Sequence, residues 1–210
     1  MNNHQREGLL LVVSGPAGVG KGTIDRALLE RNAGMRLSVS ATTRPPRPGE
    51  IDGVHYFFIS EDRFREMVDR GEFLEYVRVF NLHYYGTPRS FVEEEIASGR
   101  DVLLEIDVQG AMRVRETYPE AVLVFVAPPS MGKLKSRLIG RGTETPEAVE
   151  RRFETAFAEL AYMDKYDYIV VNDVLDVAIG HIQHIIDAEK CRSSRSGALI
   201  NRLLEGKDRP

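Results

Sequence analysis

The chain has 210 residues, 42% of them hydrophobic and 29% charged, with a formal net charge of -4. That length supports one sizeable core with room for a small inserted lobe. The acidic balance argues against a general nucleic-acid binder, so any anion site should be local. A single cysteine, Cys191, excludes an intrachain disulfide and fits a reducing compartment. The opening MNNHQREG lacks a signal peptide's basic start and apolar stretch, and the runs LLLVV and VLVFVA are too short to span a bilayer. The expectation is a cytoplasmic protein with no membrane, no nucleic-acid and no obligate protein partner.

In chain order, LLLVVS (9–14) is the first of four short apolar runs whose length and β-branched content predict buried strands. Directly after it comes GPAGVGKGT: Gly15, Pro16, Ala17, Gly18, Val19, Gly20, Lys21, Gly22 and Thr23. Glycines admit dihedrals that let amide N–H groups converge on one anion, and the helix that follows, KGTIDRALLERN, adds its N-terminal dipole. Lys21 supplies a mobile charge for phosphates. The alternative is a plain glycine-rich turn, but strand–loop–helix is the context a phosphate loop requires. The usual pattern has Ser or Thr directly after the lysine as a magnesium ligand; here that place is Gly22 and the hydroxyl comes one later, at Thr23.

Residues 37–90 are rich in aromatics and short alternating pieces, which predicts an inserted sheet-bearing lobe. Within it, TTRPPRPGEIDGVHY sets Arg44 and Arg47 in a segment stiffened by Pro45, Pro46 and Pro48. Two arginine forks held in a pre-shaped loop suit a phosphate or carboxylate. The other reading of RPPRPG is a proline-rich ligand for a partner domain. The helix SEDRFREMVDRG starts after Ser60, a suitable cap, with Arg63 excluding the reciprocal capping box.

The second run, VLLEID (102–107), ends in Asp107, which either organises magnesium or turns the chain into the helix VQGAMRVRETY. The third run is AVLVFVA (121–127). Beyond it, GRGTETPEA (140–148) interrupts a helical region, with Pro146 suited to a first helical turn. EAVERRFETAFAELAYM has helical spacing, YIVV (168–171) is the fourth run, and LDVAIGHIQHIIDAEK presents a face of Leu175, Ala178, Ile179, Ile182, Ile185, Ile186 and Glu189. The polar tail from 192 is left open between a frayed helix and disorder. Strands alternating with helices give an α/β class with a mostly parallel sheet flanked by helices. One domain is expected over 1–210: core 8–36 and 91–190, lobe about 37–90, helical lid about 134–155, tail 192–210.

The stretches GPAGVGKGT, SVSATTRPPRPGEIDGVHY, GEFLEY, NLHYYGTP, LLEIDVQG, APPS, LIGRGTET and IVVND, in this order across residues 8–190, resemble the guanylate kinases, a family of P-loop nucleoside-monophosphate kinases. The resemblance implies transfer of the ATP γ-phosphate to GMP, and to dGMP, with Mg2+ as cofactor. It implies that Arg44, Arg47, Tyr56 and Tyr85 grip the GMP phosphate, and that Glu75 reads the guanine donors in a pocket with Ser40, Thr87 and Asp107. Read without it, Tyr56 and Tyr85 are ordinary core aromatics. Glu105 stands where a shorter aspartate is common. Arg137, Arg141 and Arg152 match arginines that reach the phosphates, and Asn172 is expected near the adenine. Thr23 and Asp107 are the candidates near magnesium, directly or through water. No catalytic histidine is needed, so His4, His55, His83, His181 and His184 read as surface or packing residues. Two other readings stand beside this one: an inactive binding module on the same fold, and a kinase for another nucleoside monophosphate.

Overall fold

β1 (Leu10–Ser14) is buried at every position, and its side chains divide between two cores. Leu11 and Val13 pack with Ile24 and Leu28 of α1 (Lys21–Arg31), whereas Leu10 and Val12 pack on the opposite face. A strand covered on both sides has no polar face, which is why the run reads as continuously apolar. The chain is described by a computed structural model at residues 7–79, 82–139 and 146–206.

After α1 the chain forms β2 (Arg36–Leu37), a two-residue edge strand with both side chains exposed and no counterpart among the apolar runs. It then leaves the core for a second sheet. That sheet contains β3 (Ala41–Thr42), β4 (Phe57–Phe58), β5 (Phe73–Val79) and β6 (His83–Pro88), with α2 (Glu61–Asp69) between β4 and β5. Ser60 caps α2 as expected, its hydroxyl accepting the Arg63 N–H at 3.2 Å. The order is β4-β3-β6-β5, antiparallel except for β3 with β4. Its small core is a stack in which Phe64 lies 4.4 Å from Phe73 and 5.1 Å from Tyr84, ring centre to ring centre.

The chain returns through α3 (Arg89–Ala97), β7 (Val102–Glu105), α4 (Val108–Thr117), β8 (Val122–Ala127), α5 (Met131–Ile139), α6 (Pro146–Leu160), β9 (Tyr168–Val171) and α7 (Leu175–Lys190). The main sheet has the order β2-β7-β1-β8-β9 and every pairing is parallel. α1 and α7 cover one face, α3 and α4 the other. In α7, Ala178, Ile179, Ile182 and Ile186 are buried, and so is Glu189, which accepts the Tyr168 hydroxyl at 2.6 Å. Cys191 follows as the exposed end of that helix. The tail forms α8 (Gly197–Leu204), preceded by Arg195, whose guanidinium donates to the Glu120 carbonyl at 2.7 Å. Among the described residues no helix is long and apolar enough to cross a membrane.

The two sheets are tied at β5. Phe73 belongs to the small aromatic core, whereas the next residue, Leu74, belongs to the main core. The Leu74 carbonyl accepts the Thr117 hydroxyl of α4 at 2.8 Å. Phe64 is fully buried at the centre of the small core. Phe64→Ala is therefore expected to lower unfolding stability by about 3–5 kcal/mol. The loss is read by chemical denaturation with circular dichroism, and it should leave the strands β1, β7 and β8 the last to lose amide protection in hydrogen exchange.

Candidate active site

The carboxyl ends of the parallel strands carry the charged groups. After Ser14 the chain turns through Gly15 at φ +138°, where an added Cβ would lie 2.3 Å from the Val126 carbonyl of β8. Only glycine lets the loop pass there. Gly20, at φ +101°, opens α1, and a Cβ on it would meet the Asn172 amide at 2.6 Å. Asn172 Nδ2 donates to the Val19 carbonyl at 2.8 Å; Arg137 donates to the same carbonyl at 3.4 Å and to the Asn172 carbonyl at 3.0 Å. The loop is thus held from β9 and α5. Lys21 folds back across it, donating to the Gly15 carbonyl at 2.6 Å and the Pro16 carbonyl at 3.3 Å. Burial lowers the Lys21 pKa below the ordinary lysine value, and the carboxylates of Glu105, Glu159, Asp25 and Asp107 oppose the shift.

Two clefts open from this region. One, of about 350 Å³, is lined by Pro16's neighbours Ala17 and Gly18, by Lys21, Gly22 and Thr23, and by Arg26, Glu105 and Arg152. The other, of about 300 Å³, is lined by Ser40, Tyr56, Glu75, Tyr85, Glu105 and Asp107. Glu105 is a wall of both. Its carboxylate oxygens stand 3.5 and 3.8 Å from where a Cβ on Gly22 would be, so the missing side chain leaves them open to the loop.

Glu75 lines the second cleft, and its cross-strand partner Thr87, expected to line it too, is fully buried and absent from its wall. Thr87 Oγ1 donates to Glu75 Oε1 at 2.8 Å, and both residues are buried. Burial pushes the Glu75 carboxyl up to about 7; the Thr87 hydrogen bond opposes this, and the Asp107 charge adds to it. Asp107 caps α4, its Oδ1 accepting the Gly110 N–H at 2.7 Å. Of the readings of Asp107, the turn into α4 is the one seen directly, and its side chain also lines the second cleft. Two residues along the same face of β6, about 7 Å from Thr87, Tyr85 accepts a hydrogen bond from Arg44 Nε at 3.2 Å. The Arg44 guanidinium lies 5.5 Å from the Tyr56 ring centre. Arg44 lies against these two tyrosines, which form the cleft wall, and Arg47 is exposed on the same loop.

The guanylate kinase family model matches residues 7–189. A guanylate kinase of Symbiobacterium thermophilum is 56% identical over 200 residues, 95% of this chain and 94% of that one. A guanylate kinase of Caldanaerobacter subterraneus subsp. tengcongensis is 50% identical over 201 residues, 96% of this chain and 97% of that one. The crystal structure of guanylate kinase from Anaplasma phagocytophilum superposes with a TM-score of 0.76 at 32% identity, covering 97% of this chain and 96% of that one. The chain belongs to the guanylate kinase family.

Within this guanylate kinase the predicted arginines are dispersed. Arg44 is held on the second sheet, Arg137 by backbone carbonyls of the phosphate loop and of the end of β9, and Arg152 lines the phosphate-loop cleft from α6. Arg141, with Gly140 and Gly142, lies outside the described residues. Asn172, expected beside the adenine, is buried with its amide committed to the phosphate loop. α5 and α6 share a small core of Leu134, Leu138, Val149 and Ala156.

Glu105, marked in the sequence only for standing where aspartate is common, joins the clefts. Two further acids went unremarked. Glu159, on α6, is pushed up to about 7 by burial, with the Lys21 charge opposing and Asp107 adding. Asp25 is 3% exposed, and no N–H or hydroxyl among the described residues lies within hydrogen-bond distance of either oxygen. Its position beside Ile24 and four before Leu29 on the apolar side of α1 was the available signal. Burial first, then the neighbouring Glu105 carboxyl, push the Asp25 carboxyl well above the ordinary carboxylate range, with Lys21 opposing. In the unfolded chain it titrates at about 4. The folded state therefore binds more protons in the window above that value, and stability falls as pH rises through it. Asp25→Asn removes this titration. Melting curves should show the variant gaining on the parent from pH 5 to pH 9, with the difference smallest at the acid end.

Proposed function

We propose that this guanylate kinase transfers the γ-phosphoryl group of ATP to GMP, giving ADP and GDP, with dGMP as a second acceptor. One observation carries the reading: a buried carboxylate, Glu75, shares a cleft with Tyr56 and Tyr85, against which Arg44 lies, and that cleft shares a wall with the phosphate loop's. Guanine presents N1–H and an exocyclic amine, two donors that a carboxylate accepts together. Adenine presents no such pair, and placing its acceptor against Glu75 would leave buried polar groups unpaired. The tyrosine hydroxyls and the Arg44 fork then receive the phosphate, with Arg47 joining from the exposed loop. Ser40 and Asp107 complete the acceptor side.

ATP takes the phosphate loop, where Lys21 exchanges two backbone carbonyls for phosphate oxygens, and the residues from Gly18 to Thr23 other than Val19 supply N–H groups. The GMP phosphate oxygen is already a nucleophile, so in-line transfer requires alignment and charge neutralisation rather than a base. Arg152 faces the phosphate-loop cleft. Arg137 retains N–H groups beyond those bonded to the two carbonyls, and Arg141 is assigned to the same task by its place in the motif. Thr23, Glu105 and Asp107 offer the hard oxygen donors that suit Mg2+, and Gly22, having no side chain, leaves the Glu105 carboxylate open toward the loop. When bound, the ion would neutralise phosphate charge. A cytoplasmic setting, where both nucleotides circulate, belongs to the same reading.

The test is an acceptor screen with GMP, AMP, CMP and UMP, read by coupled ADP release. GMP is expected to be the strongly preferred acceptor, and equal use of AMP would overturn the assignment. Glu75→Gln is expected to raise the GMP KM about 5- to 150-fold, the equivalent of 1–3 kcal/mol, while the ATP KM stays within twofold.

The elevated Glu75 pKa adds a pH signature. Guanine needs the ionised acceptor, so guanosine affinity should fall as pH drops through about 7, approaching tenfold per unit below it. Guanosine is the ligand to titrate, because the GMP phosphate has its own ionisation near pH 6. The Glu75→Gln protein should lack this dependence.

A further inference from the structure

The loop carrying Arg44 and Arg47 contains a third charged residue that the phosphate grip does not use. Glu50 accepts twice: Arg44 Nη2 donates to Oε1 at 2.8 Å, and the Arg47 backbone N–H donates to Oε2 at 2.7 Å. The Glu50 N–H returns a bond to the Arg47 carbonyl at 3.0 Å, closing a turn in which Gly49 takes φ +86°. The Arg44 and Glu50 side chains are 11% and 18% exposed, well shielded for a charged pair on a loop. The other corners of the Arg44 guanidinium are also engaged, Nε with the Tyr85 hydroxyl at 3.2 Å and Nη1 with the Pro45 carbonyl at 2.6 Å. Three of five N–H groups are thus committed, leaving one on each terminal nitrogen for a ligand.

Resting on the proposed reading of this loop as the acceptor-phosphate grip, we propose that Glu50 is its positioning residue. Its carboxylate fixes the Arg44 guanidinium and the Arg47 turn in the conformation that receives the phosphate, and it stays in place when the phosphate binds. Two features favour retention over displacement. Glu50 stands one contact further from the cleft than Arg44, bonded to Arg44 and to its own turn, whereas Arg44 itself touches the wall residues Tyr56 and Tyr85. Its second oxygen is bonded to backbone of its own turn, a bond that an arriving phosphate does not contest. Holding a long arginine in one rotamer before binding removes an ordering cost from the binding step. The three prolines limit the backbone but leave the Arg44 side chain free, so the loop needs a carboxylate to aim it.

Both Glu50 partners are donors, so the position demands an acceptor at each oxygen. Glutamine has one acceptor and necessarily loses one of the two bonds. The experiment titrates GMP and guanosine into the full-length parent, Glu50→Gln and Glu50→Asp proteins by calorimetry, with steady-state GMP and ATP kinetics alongside. Glu50→Gln is expected to weaken GMP about tenfold or more, leaving guanosine affinity and the ATP KM unchanged, and Glu50→Asp is expected to recover part of the GMP loss. Tighter GMP binding by Glu50→Gln would identify the carboxylate as a competitor that phosphate displaces, overturning the proposal. Equal losses for GMP and guanosine, or unchanged GMP affinity, would overturn it too. The acceptor screen on the parent protein judges the substrate separately. Whichever monophosphate it returns is compared with its own nucleoside here, so the failure of one reading is distinguishable from the failure of the other.

Discussion

A parallel sheet needs crossover connections, and here the crossover helices cover both of its faces, so the ends of the strands are what remains for chemistry. β1 lies at the centre of the five-stranded order, with β7 on one side and β8 on the other. Its end delivers the phosphate loop, the end of β7 delivers Glu105 and Asp107, and the end of β9 delivers Asn172. The fold brings residues nearly 160 positions apart, from Gly15 to Asn172, to one rim. The close pass of Gly15 over the Val126 carbonyl follows from the same crowding of strand ends.

The second sheet obeys a different constraint. Its strands are short, its core is a few stacked rings, and it gains much of its support from β5, where alternating side chains serve two cores: Phe73 the small one, Leu74 the large one. Glu75 follows immediately, past an irregularity in strand register. The buried carboxylate therefore sits where the two sheets meet, next to the residues that anchor β5 in both cores. A hydrogen bond from Thr87 and burial against α4 hold it there.

How far the sequence could be read depended on whether a signal was local. Continuous apolar runs gave away β1, β7 and β8 because burial on both faces leaves few polar positions; the run of β9 was read the same way, but β9 is an edge strand and leaves Ile169 and Val171 about half exposed, so it is not the buried strand its sequence suggests. The phosphate loop and the Ser60 cap were legible because each is a short-range device whose residue types have few other uses. β2 was not, since two exposed residues at an edge carry no hydrophobic pattern. α8 was left undecided because a short amphipathic segment with Leu203 and Leu204 outward has no buried face to mark it. In the site, residue identities were legible but their present contacts were not. Arg137 and Asn172 were read toward nucleotide, yet both bond the Val19 carbonyl of the phosphate loop, a pairing across 118 and 153 positions that no local pattern encodes. Asp25, Glu105 and Glu159 acquire their shared surroundings only once α1, β7 and α6 converge.

The single cysteine gains a practical meaning from its place at the end of α7. Sixteen helical residues separate it from the Asn172 rim, a span of about 24 Å at 1.5 Å per residue. A maleimide dye would attach there without any substitution and without touching either cleft. The chain thus carries its own reference point for fluorescence ranging, needing only one added thiol on the aromatic-rich sheet to follow how the two halves approach each other.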